Sequence, residues 1–68
     1  MNSKDLMIKK IDSLSTAQLL EMARALNLKT DSAEMMVSTL VERELEKRLS
    51  ETDFLALMAE FEAELMAA

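Results

Sequence analysis

The apolar residues of this chain recur at helical rather than strand spacing. Over 13–27, SLSTAQLLEMARALN puts Leu14, Leu19, Leu20, Ala23 and Leu26 on one side of a 3.6-residue period, which predicts a helix. Ser15 and Gln18 stand at the capping-box interval, and Asp12 or Ser13 offers a slightly earlier start. Asn27 suits the far end, because asparagine tolerates the left-handed conformation that closes many helices. LKTDS over 28–32 then breaks the pattern. Thr30, Asp31 and Ser32 are all N-cap types, and Asp31 with Glu34 repeats the capping interval. A second helix is expected over about 32–49. Its stripe is Met36, Val37, Leu40, Val41, Leu45 and Leu49, and its polar face includes Glu44 and Arg48 in the favourable i,i+4 order.

The apolar phase jumps after Leu49, and Ser50, Thr52 and Asp53 lie in the gap as capping candidates. A kink or break is expected near 50–52, followed by a helix over about 53–66. Its stripe is Phe54, Met58, Phe61 and Leu65, widened by Leu55 and Leu57. The first eleven residues are open to two readings. As a helix they align Met7, Ile11 and Leu14; as a strand, LMIKKI over 6–11 alternates poorly. Propensity favours the helix.

Composition agrees with the pattern. Of 34 apolar residues, 28 are Leu, Met or Ala, all good helix formers, against two Val and two Ile. Glycine, proline, cysteine, histidine and tryptophan are absent. Without them there is no phosphate-cradling glycine loop, no disulfide framework, no thiol nucleophile, no imidazole base and no ordinary zinc site. Carboxylate pairs such as Glu42 with Glu46 lie among bases on a polar helix face, which reads as a solvated surface. No enzyme, cofactor or metal site is expected. The seven Met at helical spacing read mainly as core, with Met35, Met36, Met58 and Met66 available to an adaptable surface.

Charge divides the chain more sharply than composition does. Residues 1–48 hold all eight Lys and Arg against eight acids. Residues 49–68 hold Glu51, Asp53, Glu60, Glu62 and Glu64 and no base, while the front carries Lys4, Lys9 and Lys10. No basic start is followed by the apolar run of a leader, and no stretch approaches a membrane span, so a cytoplasmic protein is expected with no membrane partner. Chains of this size without staples rarely build a strongly stable core alone, so a homo-oligomer, most simply a dimer, is expected.

The stretch Leu19–Leu45, LLEMARALNLKTDSAEMMVSTLVEREL, resembles the two helices of a ribbon-helix-helix protein, a family of small dimeric DNA-binding repressors and antitoxin DNA-binding halves. The resemblance lies in "EMARALNL", a turn rich in Ser and Thr, and a helix opening with "SAEMMVSTL". It implies an N-terminal strand over 6–11 paired with its twin in the major groove. It also implies Lys9 and Lys10 on that ribbon, and Thr30 and Ser32 holding a phosphate at a helix start. The turn carries Asn27 where the family commonly has glycine, and it is about one residue longer.

The expected architecture is therefore all-α, three or four short helices in a single domain, with 6–11 either helix or ribbon strand. Residues 1–49 would form the DNA-binding or dimerising part and 50–68 an acidic amphipathic helix. The first expected function is a dimeric regulator of the ribbon-helix-helix or antitoxin kind. Its last helix would bind a protein partner with a basic or apolar groove through Phe54, Met58, Phe61, Leu65, Glu60 and Glu64. The alternative is an acidic helical protein–protein adaptor or inhibitor with no DNA role, separated from the first by the state of 6–11.

Overall fold

The computed structural model describes residues 2–67. Among them are four helices and no strand: α1 (Ser3–Ser13), α2 (Thr16–Leu26), α3 (Ser32–Arg48) and α4 (Glu51–Ala67). The fold is all-α.

The N-terminal ribbon strand over 6–11 is corrected to a helix. Asn2 caps it, its Oδ1 accepting from the Asp5 N–H at 2.9 Å. The physical reason is the burial pattern. A strand would mix apolar and charged residues on each face, Leu6 and Ile8 with Lys10, Met7 and Ile11 with Lys9. The helical period instead collects Met7, Ile11 and Leu14 on one side, with Ile11 in the core and the other two packed against it.

Side-chain caps make the remaining breaks. Ser15 and Gln18 form a complete capping box, with Ser15 Oγ accepting from the Gln18 N–H at 3.1 Å and Gln18 Oε1 accepting from the Ser15 N–H at 2.8 Å. Asp31 Oδ1 accepts from the N–H groups of Ala33 and Glu34 at 2.9 and 3.2 Å. Ser50 Oγ accepts from the Asp53 N–H at 3.1 Å, so α4 begins at Glu51, two residues before the expected start. The expected left-handed end at Asn27 is also corrected. Asn27 stays right-handed (φ −57°, ψ −36°), and no described residue has positive φ. The chain leaves α2 through short-range bonds instead: Asn27 N–H to Arg24 O and Lys29 N–H to Leu26 O. The Asn27 side chain is meanwhile engaged elsewhere, its Nδ2 donating to Phe61 O at 3.2 Å.

Helix α3 is the hub, and each of the other three helices packs on it. Its Leu40, Val41 and Leu45 meet Ile11 of α1, Leu19 and Ala23 of α2, and Leu57 and Phe61 of α4 in one cluster. The molecule extends 39 × 28 × 15 Å. Its thin direction is the depth of two packed helices, given interaxial distances of about 8–10 Å and Cα cylinders of about 2.3 Å radius. Among the described residues, no third layer closes over α3. The radius of gyration is 12.1 Å, where a compact chain of this length takes about 11 Å. The accessible surface is 4829 Å², against about 4,300 Å² for a compact fold of this mass. The chain therefore exposes more surface than a compact fold of its mass.

Candidate protein-interaction surface

The structure separates the residues that the family resemblance would bring to DNA. Lys9 and Lys10 are exposed on α1, which packs through Ile8 and Ile11 beside Leu40, Arg43, Glu44 and Lys47 in the C-terminal part of α3. Thr30 and Ser32 are exposed at the other end of α3. Ser32 and Leu40 are roughly 12 Å apart along the helix axis at ~1.5 Å per residue. The α3 N-terminus is also already served. Two of its free amides bond the Asp31 carboxylate, and Glu34 adds a second acid in the first turn. An incoming phosphate would compete with both.

The proposed partner-binding residues of α4 split by direction. Phe61 is a core residue, and Phe54 and Met58 are partly buried against the same cluster. Leu57 belongs to that inner face, whereas Leu55 is 58% exposed and lies outside it. Leu65 is half exposed where α4 passes Leu26, Met35 and Thr39. Glu60 has a neighbour the sequence pattern did not supply: Arg24 of α2 donates to it at 3.4 Å. Both side chains are about half exposed, so the pair contributes little to stability. Glu64 is exposed.

The outer face of α4 is a second apolar strip that core-centred reading of the sequence missed. At 100° per residue, Leu55, Ala59, Ala63 and Met66 fall on the side opposite Phe61, and all four are exposed. Met66 is 80% exposed. The signal was present as alanine and leucine at intervals of four, four and three, but those residues also fit the inner stripe's neighbours. Acids border the strip on both sides: Asp53, Glu60 and Glu64 along one edge, Glu51 and Glu62 along the other. Glu51 and Asp53 favour the helix N-terminus, but no base occupies the last turn. Glu62 and Glu64 therefore face the negative end of the helix dipole with no offset along α4.

Glu42 occupies a shallow cleft with Leu26, Met35, Thr39 and Leu65. Burial there pushes its carboxyl above the ordinary range. A carboxyl that holds its proton to higher pH folded than unfolded helps stability most when protonated. That contribution is full below the unfolded carboxylate range and is lost as pH rises through the folded value. Glu42→Gln should therefore unfold at higher urea than wild type at neutral pH and match it in acid. A wild type more stable than the glutamine variant at neutral pH would show that the carboxylate gains from this cleft.

Among the described residues, no group of three His, Cys, Asp or Glu is placed to hold a metal ion. No described helix is long and apolar enough to cross a membrane. Comparison of the chain with family models, with curated proteins and with solved structures returned no match.

Proposed function

We propose that this chain is a non-enzymatic protein-interaction module, an acidic helical adaptor or inhibitor that docks a partner on the outer face of α4. The observation that carries this reading is the exposed Leu55–Ala59–Ala63–Met66 strip between two rows of acids on a helix without a base. Its partner is a basic amphipathic helix. Apolar side chains of that helix cover the strip at i, i+3/4, i+7 spacing, and flanking Lys or Arg reach Glu60, Glu62 and Glu64. Such a partner also supplies the positive charge missing from the end of α4. The adaptor reading is preferred to the DNA-binding one because residues 6–11 are helical and committed to the core through Ile11.

Truncation would be a poor test, since Leu57 and Phe61 of α4 belong to the core. Surface variants are cleaner. A photo-reactive residue at position 63 should crosslink one protein in cells, and the double change Leu55→Asp, Met66→Asp should abolish that product. The same probe at exposed Lys29 should give none. Equal capture from both positions, or capture that survives the double change, would count against the α4 surface.

A further inference from the structure

A second unpartnered apolar surface lies on the other side of α2. Met22, Ala25 and Leu26 of α2 and Ala33, Glu34 and Val37 of α3 line an open groove of about 330 Å³. Its floor is apolar. The acid in its wall is Glu34. α1 lies instead beside Leu40, Arg43, Glu44 and Lys47 of α3, none of which lines the groove. α1 is held there. Arg48 donates to Leu14 O at 2.6 Å and Asp12 O at 3.0 Å, fixing the α1–α2 turn to the end of α3. Only Leu14 and Ser15 link α1 to α2. α1 therefore cannot swing over its own groove while those bonds hold.

We infer that the α2–α3 groove receives α1 from a second copy of this chain, in a two-fold dimer that exchanges the contact symmetrically. Three observations select this occupant. First, Leu6 is 57% exposed, and it lies about 140° round α1 from the buried Ile11. Lys9 and Lys10 follow it at i+3 and i+4, so α1 presents an apolar residue beside two ammonium groups. That arrangement complements an apolar floor with Glu34 in its wall. Second, the outer strip of α4 is a poor occupant, because its acid borders would meet Glu34 of the groove. Third, the chain exposes 4829 Å², roughly 500 Å² above a compact monomer of its mass. A standard interface takes about 800 Å² from each partner, so the surplus is of the order that self-association removes. In the dimer α1 covers the C-terminal part of its own α3, and the partner's α1 covers the N-terminal part. A two-fold axis closes this arrangement without leaving a free groove.

The test is sedimentation equilibrium of the full chain across micromolar concentrations, with helicity followed by circular dichroism. Wild type should be a dimer. Leu6→Glu and Ala25→Glu change exposed positions, so each should stay helical while raising the dimer Kd by about 100-fold, because each puts a carboxylate into an apolar contact. Lys10→Glu and Glu34→Lys should each weaken the dimer, and the two together should restore it. A wild type that is monomeric throughout overturns the inference. So does a dimer indifferent to Leu6→Glu and Ala25→Glu, or one lost instead with Leu55→Asp, Met66→Asp. Failure of the combined charge exchange to restore association overturns the pairing of α1 with this groove.

Discussion

Leu45→Ala should cost about 3–4 kcal/mol of folding stability, within the range of fully buried leucine truncations. Leu45 is 0% exposed and sits on α3, the helix on which the other three converge. The loss is large because the side chain removed is fully buried. The cluster draws on all four helices, so a void beside Leu45 loosens several contacts at once. It is also large relative to what is available. At about 0.05–0.15 kcal/mol per residue, a chain of this length holds only about 3–10 kcal/mol. A substantial unfolded population at room temperature is expected, visible as lost helicity and a urea midpoint shifted to very low denaturant. Leu45→Met conserves volume and should cost less than about 1.5 kcal/mol. Glu46→Ala, one residue away on the exposed side, should stay within about 0.5 kcal/mol. If Leu45→Ala and Glu46→Ala behaved alike, α3 would not be the hub described.

The contrast between Leu45 and Glu46 was legible in the sequence, because helical periodicity assigns sides. The same reasoning put Ser15, Asp31 and Ser50 among the capping candidates, where the relevant interactions are local and the spacing narrows the geometry. It served less well where two helical faces are both apolar. In α4, Leu55 and Leu57 are equivalent by hydropathy, yet Leu57 is buried and Leu55 exposed. Their phase relative to Phe61 separates them, but only once packing on α3 shows that Phe61 points inward. Asn27 illustrates the same limit. Its residue type suits a left-handed helix end, but a bond to Phe61 O, 34 residues away, holds it in a right-handed turn. The family resemblance rested on two helices and a turn, and those two helices are present. The segment that would distinguish the family, 6–11, is instead governed by the burial of Ile11 against a core assembled from the rest of the chain. For the candidate surfaces, the sequence supplied the charge asymmetry of residues 49–68. It could not show the α2–α3 groove, which depends on how the helices pack.

Arg48→Ala should be the most damaging change to a charged residue, at about 2–4 kcal/mol. The i,i+4 spacing accounts for its bond to Glu44, at 2.9 Å. The larger part of its role is long-range. The same guanidinium donates to Leu14 O and Asp12 O, groups 34 and 36 residues earlier. Those carbonyls sit at the C-terminal end of α1, where a helix leaves acceptors unsatisfied and its dipole favours a cation. One planar, partly buried side chain thus closes α1, fixes the turn into α2 and joins both to the end of α3. Removing it leaves the Glu44 carboxylate without its ion-pair partner at 16% side-chain exposure. Lysine keeps the charge but not the fork, so Arg48→Lys should recover only part of the loss. Native-state hydrogen exchange discriminates this role from general destabilisation. In Arg48→Ala the α1 amides should exchange through a local opening, well before those around Val41 and Leu45. Arg43→Ala, exposed on the same helix, should leave that order and the urea midpoint nearly unchanged. Uniform acceleration across all four helices would instead make Arg48 a contributor to global stability, with no particular hold on α1.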